Sequence, residues 1–419
     1  MKRALVPLAA LVVAITANPA ASASVAPTEG RNVSSAMAPL PRRGDMDTWQ
    51  ELPNCPTGAK ANQLLTRFPL NAGDHGGITP LGNLMPTSHT LPTPHMYVSV
   101  AGTTYLPDPP PGQPPEVTPG NAKNLYAPGR MWILQLSTFD TLFDDGTVRH
   151  EYDYWFGLCN QVKGRFGHVS GISSKLANAI KGLKPDCSEY SIPTQWPDRS
   201  FRSCSYNNLK IALKAGELIG DVGGYNGNLD FKVVDFRRPA AKYAKQSRWL
   251  PEVSRAVCFL DYYPAKLKEE FYGFLGNDDL SIKRTVEPRC GRIAQDVAGT
   301  AKGAWLYQVT GWFTGVEEDH LALVNDNIEP QYQVVSMGAA GLSKGIPSGG
   351  WRFIPQTSGQ VNRDFSQVKP DGKVYCYDDG RSEDKVLVTM PSTTKLRVGT
   401  TTGPCTGTLT MGDYVEFNR

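Results

Sequence analysis

What most constrains the fold of this 419-residue chain is a rhythm of short apolar or alternating runs, each bounded by Gly, Pro or Asp. In the first half the runs are His95–Val100, Met131–Leu136, Asp153–Gly157, Glu217–Gly220 and Leu229–Val234. In the second they are Gly303–Val309, Leu321–Val324, Tyr332–Ser336, Lys373–Tyr377, Lys385–Met390 and Tyr414–Phe417. Runs of this length and composition fit strands, and the Gly, Pro and Asp clusters between them supply turns. The chain is therefore expected to be mainly β, with its second half forming a β-barrel or β-sandwich. Only two stretches read as helical. Residues 173–183 carry Leu176, Ile180 and Leu183 at helical spacing behind Ser173 as cap, and residues 263–275 carry a Pro near the first turn and Gly276 as a stop. No repeat of solenoid period is present.

The N-terminus predicts export. Lys2 and Arg3 precede an apolar stretch from Ala4 to Ala17, and Ala21-Ser22-Ala23 offers a small-residue cleavage site. That stretch is short for a membrane span, and nothing later reaches the roughly 18 uninterrupted apolar residues that one requires. Residues 1–23 thus read as a signal peptide, and the protein as secreted, extracellular or at the cell envelope. Eight cysteines fit such oxidising surroundings as disulfides. Eight cysteines allow 105 pairings; Cys187–Cys204 and Cys376–Cys405 are preferred because each closes a local loop. No Cys-x-x-Cys pair exists, which disfavours a structural zinc cluster of the usual spacing.

Formal charge is +3, of which Lys2 and Arg3 supply two. A mature chain so near neutrality, without a basic stripe, gives no reason to expect nucleic acid or an anionic membrane as partner. Its length predicts two domains. Residues 24–52, rich in Ala, Pro, Ser and Arg, read as a flexible linker. Residues 53–240 and 241–419 then form the two domains, divided at a composition shift after Phe236-Arg-Arg-Pro-Ala240. The run Asp108–Pro115 predicts an exposed polyproline-like excursion, because consecutive prolines cannot join a sheet ladder.

Four pieces of the first half bear on chemistry: Leu125-Tyr-Ala-Pro-Gly129, Phe166-Gly-His168-Val169, Ala215-Gly-Glu-Leu-Ile-Gly-Asp-Val-Gly-Gly224 and Leu229-Asp-Phe-Lys-Val233. Taken in order with His95, they resemble the lysostaphin/LytM-type zinc endopeptidases, which cut peptide cross-links in bacterial cell walls. The likeness covers about residues 80–236, with insertions at 107–120 and 173–210. It implies a lysostaphin-type β-sheet domain (the duplicated hybrid motif). It also implies a zinc site with two ligands from His-x3-Asp and one from the second His of His-x-His. Here His95 takes the first ligand position, but Ser99 stands four residues on. Asn228 and Asp230 occupy the His-x-His frame. His168 matches the family histidine that sits beside the metal.

A hydrolytic zinc needs three protein ligands and one open position for water. Three readings follow. In one, His95, Asp230 and His89 hold zinc while His168 acts as acid or base, giving a metalloendopeptidase with an altered ligand set. In another, the cleft persists without metal and binds cell-wall peptide or glycan. In the third, His95 and His168 are hydrogen-bonded sheet residues and Asp230 pairs with a nearby cation. Ser99 and Asn228 act against hydrolysis, so noncatalytic binding is the leading expectation.

Other candidates are weaker. Asp74-His75-Gly-Gly reads as an exposed turn, and Glu317-Glu-Asp-His320 as a solvated turn before a strand. Trp305, Trp312 and Trp351 fit core packing better than a sugar-stacking platform. No Gly-x-Ser-x-Gly elbow, P-loop or dinucleotide fingerprint occurs.

Overall fold

Period-two alternation is realised as one large antiparallel sheet. Its main path has eight strands: β1 His75–Thr79, β2 Met96–Val100, β3 Met131–Phe143, β4 Val148–Cys159, β5 Val162–Ile172, β6 Asp186–Ser191, β7 Arg199–Tyr206 and β8 Asn228–Asp235. Their spatial order is β1-β2-β8-β5-β4-β3-β7-β6, and short segments pairing with this path bring the sheet to twelve strands. This computed structural model describes residues 47–86, 88–105, 117–118, 122–191, 198–224, 226–309 and 317–419. The signal peptide, residues 24–46 of the linker, the proline run 108–115 and Trp312 lie outside the described residues.

The sheet has two unlike faces, because successive side chains of a strand point to opposite sides. Met96, Val98 and Val100 of β2, Tyr154, Phe156 and Leu158 of β4, and Leu229, Phe231 and Val233 of β8 all point to one side and are buried. Phe166 of β5 joins them, with ring centroids 4.9 Å from Phe156 and 4.7 Å from Phe231. Phe259 then stacks on Phe231 at 4.0 Å. Burying each such ring is worth roughly 1.5–3 kcal/mol, so this ladder fixes the register. A slip of one residue would turn the apolar set outward.

The first core continues past residue 240 through Phe259, Tyr262, Phe271, Leu275 and Ile293, and a second core begins at Ala301. The later residues include a short helix, Ala265–Tyr272, which lies within the predicted 263–275 but is capped by Pro264 and ends at Gly273 rather than Gly276. The other predicted helix spans Ser174–Ile180, and the Ser173 side chain accepts the Leu176 N–H. Leu176 is buried but Leu183 is exposed, because the helix stops three residues short of it.

In the C-terminal half, strands β9 Gly303–Trp305, β10 Leu321–Asn325, β11 Gln333–Met337 and β12 Gly349–Phe353 form one antiparallel sheet. Strands β13 Tyr375–Tyr377, β14 Lys385–Ser392, β15 Lys395–Thr401 and β16 Val415–Asn418 form another. Both sheets contribute to a single core. Trp305 and Trp351 are buried there, so neither belongs to a stacking platform. Trp305 Nε1–H donates to Ala301 O, and the Arg419 guanidinium lies 3.9 Å from its ring centroid. The chain is thus mainly β with several antiparallel sheets.

All eight cysteines are paired, as Cys55–Cys159, Cys187–Cys204, Cys258–Cys290 and Cys376–Cys405. Cys187 and Cys204 face each other directly across β6 and β7. These bonds fit an extracellular setting. No described helix is long and apolar enough to cross a membrane.

Candidate functional site

The face opposite the aromatic core is polar, and strand register assembles it. Asn228 lies opposite Ser99, and Asp230 opposite both Tyr97 and Gly167. Lys232 lies opposite Arg165, which in turn lies opposite Trp155. Directly opposed residues share a face, so Tyr97, Ser99, Arg165, Asp230 and Lys232 form one polar surface on the central strands. Alternation adds Glu151 and Asp153 of β4 to the same side.

His168 reaches this surface by an irregularity. Tyr152 pairs with Val169 and Tyr154 with Phe166, so β5 carries one extra residue between these pairs, a bulge. His168 sits in that bulge with φ of 60°, a left-handed conformation that non-glycine residues seldom adopt. The bulge brings the His168 ring onto Asp230. Gly167 clears the space: a Cβ there would come within 2.9 Å of Asp230 Oδ2. Gly167→Ala is therefore expected to lower stability by about 1–3 kcal/mol, read as a fall in the urea midpoint. An unchanged midpoint would mean that the carboxylate moves aside without cost.

The predicted site residues do converge. Asp230 Oδ2 lies 3.6 Å from His95 Nε2, 3.8 Å from His168 Nε2 and 3.9 Å from an Arg165 nitrogen. His168 Nδ1 meets Glu151 Oε1 at 3.1 Å. Asp153 accepts two bonds from Arg165 Nε, at 2.9 and 2.7 Å, and fixes the guanidinium. His89 packs edge-on against His95, with ring centroids 5.3 Å apart. Its Nδ1 faces Glu317 Oε2 at 3.7 Å. Glu317 comes from the C-terminal half, is 5% exposed, and also accepts the Leu91 N–H. It is not the solvated turn its sequence suggests. His320 is likewise buried, and its Nδ1 accepts the Tyr307 N–H.

Charge states differ sharply across this cluster. Burial drives His95 down to about 3, more than Asp230 can offset, so its ring is neutral at pH 7. Burial also pushes His168 down, but Asp230 and Glu151 outweigh it and raise the group to about 9. The His168 side chain keeps 34% of its surface open, so its charge faces the solvent side of the site. For Asp230, burial pulls upward. The facing histidines and Arg165 prevail and hold it at about 2. At neutral pH the site contains a neutral imidazole, a carboxylate and an imidazolium.

His95 Nε2 and Asp230 Oδ1 are sealed from solvent without a hydrogen-bond partner, and both have the chemistry of zinc donors. In a tetrahedral site with ordinary bond lengths, donors lie about 3.3–3.4 Å apart, somewhat closer than the gaps here. A third donor would come from His168, His89 or Ser99. His168 has Nδ1 on Glu151 and Nε2 toward Asp230, so a metal there would have to displace a proton that both carboxylates favour. Arg165 adds a fixed positive charge beside the same carboxylate. His89 is turned toward Glu317, and Ser99 lies opposite Asn228. Among the described residues, no group of three or more His, Cys, Asp or Glu is arranged to hold a metal ion.

The sequence does not single out Arg165, Glu151, Asp153, Tyr97 or Lys232, and it offers Glu317 only as part of a solvated turn. For Arg165 and Lys232 a signal was present, since charged residues interrupt otherwise apolar strands at the spacing of Asp230. Asp74 and His75 stay away from the cluster. His75 opens β1, its ring 4.5 Å from that of Phe68 and 4.9 Å from that of Phe274. No family model matches this chain, and neither the curated proteins nor the solved structures offer a match.

Proposed function

We propose that the polar face around His95, Asp230 and His168 is a recognition site for cell-wall peptide or glycan, on an exported protein that binds this ligand without hydrolysing it. The observation that carries this reading is the pair of sealed polar atoms left without hydrogen-bond partners, His95 Nε2 and Asp230 Oδ1. Each unmade buried hydrogen bond costs roughly 1–3 kcal/mol, a cost a folded protein keeps where a ligand or water supplies the partner. The four sequence pieces shared with the lysostaphin type support the ligand class. The protonated His168 and the Arg165 charge beside Asp230 support binding over metal-dependent cleavage.

Calorimetric titration with purified peptidoglycan fragments tests the reading. Saturable binding is expected, weakened about tenfold or more by His95→Ala, equivalent to about 1.4 kcal/mol. No soluble fragments should be released in zinc-supplemented buffer. Absence of saturable binding would refute the assignment. Stoichiometric zinc lost in His95→Ala, together with cleavage, would instead establish a metalloendopeptidase with an altered ligand set.

A further inference from the structure

A small total charge conceals one strongly basic loop. Strand β8 ends at Asp235, and the chain returns to pair with it at Ala256–Val257, with Val234 opposite Ala256. The Asp235 N–H donates to Arg255 O at 3.1 Å and the Ala241 N–H to Ser254 O at 2.6 Å, which closes the loop. The Arg255 guanidinium also donates to Arg238 O. Residues 236–255 carry six cations, Arg237, Arg238, Lys242, Lys245, Arg248 and Arg255, against a single acid, Glu252. That local excess is larger than the +3 of the whole chain.

Two of these cations hold the loop together. Arg237 forks onto Asp235, with bonds of 2.9 and 2.8 Å, and donates to Ala61 O. Arg248 is 8% exposed and donates to Val309 O. The other four lack a close carboxylate partner among the described residues. Lys242 and Lys245 are exposed and have no hydrogen bond or ion pair there. Arg238 is 47% exposed and comes only within 3.9 Å of Asp235, which Arg237 already holds. Arg255 bonds to a carbonyl, and Glu252 accepts a hydrogen bond from Lys163 Nζ at 3.2 Å. Like charge gathered at a surface without counter-charge makes a positive field that draws in polyanions.

The rest of the loop selects among polyanions. Tyr243 and Trp249 stack on each other at 3.9 Å and are 8% and 7% exposed, so neither is open to a nucleic-acid base. Phe236 packs against Trp49 at 5.1 Å. None of the exposed large apolar side chains lies between 236 and 255. The loop therefore offers neither the apolar anchor of a membrane-surface segment nor the apolar centre of a protein interface. An acidic polysaccharide, with anionic groups at regular spacing and little apolar surface, requires neither. We propose that loop 236–255 is a docking surface for a linear acidic polysaccharide, held by ion pairs from Arg238, Lys242, Lys245 and Arg255. This surface shares no residue with the polar face around His95, Asp230 and His168.

The test titrates the full chain into fluorescently labelled polygalacturonate and dextran sulfate, with neutral dextran as control. Saturable binding to an acidic polysaccharide is expected at about 50 mM salt, weakened roughly tenfold or more at about 500 mM as ions screen the exposed pairs. Lys242→Glu combined with Lys245→Glu should weaken it about tenfold or more; both side chains are exposed and unbonded, so the fold is kept. Lys181→Glu with Lys184→Glu changes the total charge equally. Those exposed lysines follow the Ile172 end of β5, whereas the loop adjoins its Val162 end, so affinity should shift less than about twofold. No saturable binding to either acidic polysaccharide, equal losses in the two paired variants, or tighter binding to duplex DNA or phosphatidylglycerol vesicles would each overturn the proposal. Binding of peptidoglycan fragments should be unchanged in Lys242→Glu with Lys245→Glu, so this proposal and the function proposed above fail separately.

Discussion

Lys232→Met is expected to raise stability at pH 7 by on the order of 3 kcal/mol, a gain in a protein where most core substitutions lose. Holding the lysine in a site that lowers it from 10.5 to about 7 disfavours folding whenever the unfolded chain is protonated. The sign follows from linkage. A depressed folded value means the associated stability is present above pH 10.5 and is lost as pH falls toward about 7. The advantage of methionine is therefore complete below pH 7 and shrinks toward pH 10.5. Methionine also keeps an unbranched chain of similar length in place of the lysine stem. Urea midpoints of both proteins at pH 7 and pH 10 measure the effect. A variant equal to or weaker than the parent at pH 7 would mean that Nζ has a compensating partner in solution.

The legible part of the fold is the part whose physics is local. Strands β2, β8, β10 and β14 begin within a residue of their predicted runs, since strict alternation identifies a strand with one buried face. The long strands β3 and β4 were underestimated. Their outer halves interrupt the alternation with Asp140, Arg149 and Glu151, and are held by pairing with each other and with β7. Side-chain pattern alone does not reveal a strand stabilised that way. Helix Ser174–Ile180 was legible because its cap is a short-range bond. The preferred disulfides, Cys187–Cys204 and Cys376–Cys405, were legible because each closes a short loop.

The site divides along the same line. His95, Asp230 and His168 are named by motif order, and they meet. Whether they could hold a metal depended on two things that motif order omits. One is the bulge that delivers His168 to Asp230 beside Glu151, which decides its protonation. The other is Arg165, placed against Asp230 by register and held by Asp153. Glu317 is the extreme case. It lies 226 residues from Leu91, whose N–H it accepts, so only tertiary packing brings it to the site.

Asp230→Asn isolates the charge at the centre of that site. The amide preserves shape and removes the carboxylate that faces His95, His168 and Arg165 within 3.9 Å. Because Asp230 is only 4% exposed, the cations lose a counter-charge that water replaces poorly. The expected cost at pH 6 is about 3 kcal/mol. Two pH windows separate the contributions. The stability tied to Asp230 is present above pH 3.8 and is lost as pH falls toward about 2. The stability tied to His168, whose folded value is raised, is complete below pH 6.5 and is lost as pH rises through about 9. In Asp230→Asn the His168 titration should move down from about 9, toward the value that Glu151 alone sustains against burial. The parent's loss of stability between pH 6.5 and 9 should flatten with it. Imidazole NMR titrations and urea midpoints at pH 6 and pH 9 report the two effects independently. A His168 titration that does not move would assign its proton to Glu151 alone, and Asp230 would then be a buried charge held chiefly by Arg165.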